Sequence, residues 1–469
     1  MMSLRDSRGV ALSTRNLASL ARYERALELI QSYFVDPLAV LDEAVAEDPD
    51  FVMAHAMRAG LIILFGDHSV LPLMRASIEA GERLSGHAND RERRHLAAAR
   101  AWLEGDLAGS VKRYGEILHD YPRDSLALQL AHVGDFFLGQ STMLRDRIAQ
   151  VLPYWDRSVP GYGYVLGMQA FGLEETALYA RAEEIGRRAL ELNPRDPWAV
   201  HAVAHVFEMQ GRQADGIRWL TSREQDWAPD NGFAIHNWWH LALYHLDLAN
   251  HVAVLDLYDQ RVRAQPSKFA LDLVDATALL WRLTLQGVDV GNRWQELADS
   301  WEPTIEAGFY AFNDAHAMLA FTSAGREASV EALFASLERR ARGDGTNAMM
   351  VRDVGLPLCR AVRDFARAAY ATAAEQLLEL RPIAHRFGGS HAQRDLIHLT
   401  AQEAAHRAGR HRLAFALASE RTQVKPASPV NWRLAARAAR NMGDAHIASV
   451  TSERALEVAS QRLEAARAA

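Results

Sequence analysis

Two short stretches, 198-WAVHAVAHVFEMQGR-212 and 233-FAIHNWWHLALYHL-246, each carry a pair of histidines four residues apart. Four residues is about one helical turn, so His201 and His205 share a face and Glu208 extends their row. His236 and His240 make a second row that continues through Tyr244 and Asp247. Imidazoles one turn apart with a carboxylate nearby have metal-ligand spacing, and imidazole also moves protons near neutral pH. The pattern departs from H-E-x-x-H, because Ala202 follows His201. A lone pair of this kind is more often packed and hydrogen-bonded than ligating. Two rows on neighbouring helices would form a dense titratable cluster, which a plain core disfavours because each buried polar group needs a partner. Bonds from histidine to Glu208 and Tyr244 could meet that need without a metal. Trp238 and Trp239 read first as core packing.

Further polar residues interrupt apolar helical patterns downstream. In 271-LDLVDATALLWRL-283, Asp272 and Asp275 are followed by Arg282; in 312-FNDAHAML-319, Asn313 and His316 share a face beside Asp314. An acid and an arginine in such helices suggest a buried charge pair, serving either register between helices or orientation of the histidines. The stretch 387-FGGSHAQRDLIH-398 has the capping box Ser390-x-x-Gln393 at a helix start, after two glycines that permit a close approach. Exposed N–H groups there could hold an anion, with His391, Arg394 and Asp395 beside it.

The elements that must position these residues are helices. Residues 175–192 carry apolar or small side chains at helical spacing among Ala, Glu and Arg, and no run alternates as a strand would. Proline punctuates the joins, as in 49-PDFVMAHA, 122-PRDSLALQ, 194-PRDPWAVH, 229-PDNGFAIH, 266-PSKFALDL and 426-PASPVNWR. Pro194 to Pro229 is 35 residues and Pro229 to Pro266 is 37, close to the period of about 34 of tetratricopeptide repeats. The expected fold is all-α: a tetratricopeptide-like solenoid of antiparallel helix pairs in a right-handed superhelix, with irregular insertions. Residues 141–175 and 341–357 break the period and are expected to cross or cap the array. A single helical-repeat domain over 1–469 is expected, with N-terminal helices in 1–90, central repeats carrying the histidine rows in 91–340, and C-terminal repeats with a polar cap in 341–469.

Composition excludes several classes. A net charge of −7 argues against nucleic acid or an anionic membrane as the main partner. The lone cysteine, Cys359, excludes an intrachain disulfide and a cysteine-based zinc site. The start of the chain lacks a signal-peptide core, and the apolar run 59-AGLIILFG-66 is too short to span a bilayer, so a cytoplasmic protein is expected. There is no P-loop, G-x-G-x-x-G or G-x-S-x-G motif.

The blocks 161-GYGYVLGMQAFGLEET-176, 194-PRDPWAVHAVAHVFEMQGR-212, 235-IHNWWHLALYHLD-247, 272-DLVDATALLWRL-283, 312-FNDAHAM-318 and 388-GGSHAQRD-395 resemble the tetratricopeptide repeat protein 38 family, over about residues 90–400. The resemblance implies an all-helical repeat fold and little about activity. Its diagnostic blocks are the polar ones, which favours a shared internal site over a generic scaffold. The expected function is a small-molecule enzyme, with metal-assisted or acid–base hydrolysis first and an iron oxygenase nearly as defensible. Its expected metal ligands are His201, His205, His236 and His240, holding zinc, iron or manganese. Glu208, His316, His391 and Asp275 are the catalytic candidates; Trp239, Tyr244, Arg282, Gln393 and Arg394 are the substrate-binding ones. The alternative is a non-catalytic scaffold that binds a protein or peptide; a third reading is a structural hydrogen-bond network. Homo-oligomerisation is compatible with each.

Overall fold

Helix follows helix along the whole computed structural model, which describes residues 4–65 and 68–467; Gly66, the end of the expected apolar run, lies outside them. Among the described residues there is no strand, only the isolated bridges Arg5–Ala11 and Phe34–Asn231. The fold is all-α, a helical repeat of tetratricopeptide type in which consecutive helices pack against each other. No helix among these residues is long and apolar enough to cross a membrane.

At four of the proline joins the residue two places after the proline caps the start of the next helix. In 122-PRD and 194-PRD that residue is an aspartate, and its carboxylate accepts the first free N–H groups of the next helix: Asp124 from Ala127, and Asp196 from Trp198 and Ala199. Asn231 and Ser428 accept in the same way from Phe233 and Asn431. Proline stops one helix and the polar residue starts the next.

The chain divides into two compact units: Met1–Val203 with Gln225–Ala234 and Asp344–Met349, and Ala204–Glu224 with Ile235–Gly343 and Met350–Ala469. These boundaries cut across the segments 1–90, 91–340 and 341–469. In the first unit, residues 141–175 keep the helix alternation rather than breaking it: helices Ser141–Val151 and Tyr162–Glu174 pack together, and the prolines fall in the turn between them. The helix expected over 175–192 spans Tyr179–Leu192, because Ala177 takes a left-handed φ of 60° and closes the preceding helix. Residues 341–357 are irregular as expected: Thr346–Met350 runs into a π turn, Val351–Gly355. Thr346 is tied to the first unit by its N–H to Gly105 O and by its hydroxyl, which accepts from Ala108 N–H.

Seven helices carry the polar residues of interest: α1 Pro197–Met209, α2 Ala234–Asp247, α3 Ala270–Leu285, α4 Ala311–Ser323, α5 His391–Arg407, α6 His411–Val424 and α7 Pro429–Asn441. In the second unit α3 packs on α4 and α5, and α5, α6 and α7 pack in sequence. Two glycines permit close approaches. A Cβ at Gly216 would lie 2.3 Å from the Tyr244 ring, and one at Gly389, whose φ is 77°, would lie 2.5 Å from Phe312.

Candidate functional site

The second unit gathers three of the four row histidines. His205 on α1 and His236 and His240 on α2 are 0%, 5% and 0% exposed. One ring nitrogen from each lies within 4.8 Å of the others. The rings of His205 and His240 are 4.4 Å apart by centroid, and those of His236 and His240 are 5.0 Å apart, edge to face. Helical spacing puts His236 and His240 one turn apart. Trp239, fully buried, stacks on His236 at 5.3 Å, which fixes that ring. His201 falls in the first unit, among the rings of Phe171, Trp198 and Phe233 at 5.3, 5.2 and 5.0 Å.

Two carboxylates orient the α2 histidines. His236 Nδ1 is 2.8 Å from Asp275 Oδ2, and His240 Nδ1 is 3.1 Å from Glu208 Oε2. Glu208 Oε1 takes an ion pair from Lys425 Nζ at 3.1 Å. Burial pushes the Glu208 carboxyl up, but Lys425 and the His240 bond outweigh it and hold it well below its usual range. Burial drives His205 well below the ordinary histidine value, helped by the neighbouring His240; burial also lowers His240, partly offset by Glu208. With both imidazoles shifted toward the neutral form, the His240–Glu208 contact is a charge-assisted hydrogen bond and the Lys425–Glu208 contact is the ion pair.

A cavity of about 370 Å³ adjoins this cluster within the same unit. His391 forms part of its wall and also stands 5.8 Å, ring to ring, from His205. Lys425 lines it too, and so joins it to Glu208. The rest of the wall includes Arg381, Arg394, Arg421, His385 and His398 against Asp395 and Glu420. Arg421 grips Asp395 with two bonds of 2.5 and 3.0 Å. Burial raises the Asp395 carboxyl, and Arg421 overrides it to hold the group far below its normal range. A second cavity of about 60 Å³ shares Asp395, Arg421, Lys425 and Asn431 with the first, and reaches Glu208, Tyr244 and Arg282.

Several expected site residues have structural roles. The Tyr244 hydroxyl donates to Ala204 O at 2.6 Å and pins α2 to α1. Gln393 accepts the Ser390 N–H at 3.0 Å while Ser390 caps Gln393, so its amide oxygen serves the capping box. The expected Asp–Arg pair of α3 is not formed. Asp275 turns to His236, and Arg282, 3% exposed, donates to Ala278 O and Ala392 O at 3.0 and 2.8 Å. Arg282 therefore ties α3 to the start of α5. Arg394 donates to Gly388 O at 3.3 Å and to Gly389 O, which fixes it on the cavity wall. His316 stands apart from the cluster: its Nδ1–H donates to Phe312 O at 2.8 Å, and burial lowers its pKa to about 4. It lines a cavity of about 10 Å³ with Phe312 and Phe387. Lys425 and Arg421 were not found by sequence reasoning. The chain has three lysines, Lys112, Lys268 and Lys425, and nothing local to Lys425 points to its distant partner.

No family model matches the chain. It is 32% identical over 128 residues to the cellulose synthase 2 operon protein C of Komagataeibacter xylinus; the match covers 25% of this chain and spans 9% of that protein's length. Two solved structures of a human IFIT1 dimer are similar. One, with m7Gppp-AAAA, gives a TM-score of 0.41 at 13% identity, over 93% of this chain and 99% of that one. The other, with PPP-AAAA, gives 0.33 at 14% identity, over 78% and 90%. At such low identity and TM-score these likenesses carry no functional implication.

Proposed function

We propose that the second unit is a binding unit for an anionic group, carboxylate or phosphate, carried by a small molecule or by a peptide, with the helical repeat as its scaffold. The observation that carries this is the wall of the 370 Å³ cavity, where four basic side chains, Arg381, Arg394, Arg421 and Lys425, face two carboxylates. That volume suits a small ligand, within the roughly 300–1,000 Å³ of ligand pockets. The donors are held in place before any ligand arrives: Arg421 by Asp395, Arg394 by two glycine carbonyls, Lys425 by Glu208. The N-terminal turn of α5 adds its dipole beside His391. Calorimetric titration of the full chain with inorganic phosphate and simple carboxylates tests the reading. Binding should weaken with salt and fall about tenfold or more in Lys425→Ala and Arg394→Ala. Absence of anion binding, or variants that bind like the parent, would reject it.

A second reading, a small-molecule enzyme working by acid–base or metal-assisted hydrolysis, is favoured by one observation. His391 belongs both to the cavity wall and to the histidine cluster, so a ligand in the cavity abuts groups able to move protons. Glu208 and Asp275 then act through the histidines they orient. Turnover of ester or amide forms of whichever anion binds, lost in His391→Ala, is its test. We also propose membership of the tetratricopeptide repeat protein 38 family, which the blocks at 235–247 and 388–395 resemble; those blocks supply His236, His240, His391 and Arg394. The acidic net charge argues against nucleic acid as the main partner.

A further inference from the structure

The cavity wall and the histidine cluster ask for different ligands. We infer that His205, His236 and His240 hold a divalent transition metal of the zinc type, with Asp275 and Glu208 orienting two of the three rings. This goes beyond the anion site and does not depend on it. The first support is convergence. Three imidazoles from two helices are buried together, with one ring nitrogen from each within 4.8 Å of the others. Nitrogens around tetrahedral zinc lie roughly 3.4 Å apart for bonds near 2.05 Å, so small ring rotations close the set on one ion.

The second support is the pair of carboxylate bonds. His236 and His240 both place Nδ1 on a carboxylate, Asp275 at 2.8 Å and Glu208 at 3.1 Å. In the neutral ring this puts the proton on Nδ1 and the lone pair on Nε2, the arrangement that carboxylate–histidine–metal sites use to fix tautomer and raise ligand basicity. A histidine network built only for packing has no need to set the same tautomer on two rings of one row. Two carboxylates lie one bond away from the rings; Lys425 pairs with one of them, and the buried Arg282 interacts electrostatically with both. Three nitrogen donors without thiolate suit zinc, cobalt or ferrous iron rather than magnesium or calcium. They leave a tetrahedral position for water, for His391, or for a group of a bound ligand.

The test uses the full chain without an affinity tag, stripped with a chelator and titrated with Zn²⁺ and with Co²⁺. The expected result is about one metal per chain, with the intense visible bands of four-coordinate cobalt. Affinity should fall at least about tenfold in His205→Ala and His240→Ala, and roughly 10–100-fold in Asp275→Asn, which keeps size and changes only the oriented bond. His446→Ala, at an exposed histidine, should bind as the parent does. Circular dichroism checks that each variant folds; should an alanine variant fail, His205→Asn and Asp275→Asn carry the test. Absence of stoichiometric metal, or affinity unchanged across the cluster variants, overturns the inference. Anion titration of the chelator-stripped protein reads the cavity separately.

Discussion

The network around Asp124 in the first unit and the network around Glu208 in the second are made of the same parts. Each has a buried or mostly buried carboxylate, a histidine from another helix and a basic side chain. Around Asp124 the parts converge on a single carboxylate. Arg91 and His95 both bond Oδ2 at 2.7 Å, Ala127 N–H takes Oδ1, and Arg91, His95 and Asp124 are 2%, 0% and 2% exposed. Around Glu208 the basic residue fronts a cavity and the histidine faces other histidines. A buried histidine–carboxylate bond is therefore a building element in one place and part of a candidate site in the other. What separates them is access and the company of the imidazole, not the bond.

Asp124→Ala should break the comparison most sharply. It strands Arg91 in the interior and should cost about 3–5 kcal/mol in denaturant unfolding, with anion and metal binding by the folded protein unchanged. Asp196 sharpens it next, because it occupies the same proline join as Asp124 without the cations. Its Oδ1 caps α1, its Oδ2 has no hydrogen-bond partner among the described residues, and burial pushes its pKa up to about 7. An acid with a raised folded pKa contributes its full stability below its ordinary value of 3.8 and loses it as pH rises through about 7. Asp196→Asn, which can still cap, should leave stability unchanged at pH 4 and raise it by about 2–4 kcal/mol at pH 8.

His316 is an imidazole bonded to a backbone carbonyl rather than to a carboxylate, in contrast to His95. With its pKa depressed to about 4 from 6.5, its contribution is complete above 6.5 and lost as pH falls through 4. His316→Asn should flatten the acid limb of the stability curve by about 1–3 kcal/mol. Lys425→Ala should have the smallest effect on stability, about 1–2 kcal/mol, because water in the cavity can reach Glu208 once the ammonium is gone. A loss as large as that of Asp124→Ala would mean that the two networks are alike after all.

The fold was legible because its signals are local. Helical periodicity and the proline joins lie within a few residues of the structure they specify, and 122-PRD and 194-PRD announce both a helix end and the next helix's cap. The histidine rows were legible for the same reason, being one turn apart on one helix. The Asp–Arg reading of α3 failed because spacing along a helix gives a shared face but not a partner. Asp275 found His236 on α2, and Arg282 found the carbonyl of Ala392 on α5. Lys425 was out of reach of local reasoning, since it meets Glu208 across 217 residues of chain.

Lys425 is also where two equilibria meet. Its ammonium has one set of donors to divide between Glu208 and whatever anion enters the cavity. An anion that draws it away strips Glu208 of its counterion, and the carboxylate then presses harder on the Nδ1 proton of His240 and makes that ring a stronger donor. Occupancy of the cavity and occupancy of the histidine cluster are thereby linked, and linkage has no preferred direction: if the anion tightens the metal by some factor, the metal tightens the anion by the same factor. Zinc affinity measured with and without saturating anion would read that factor from both ends.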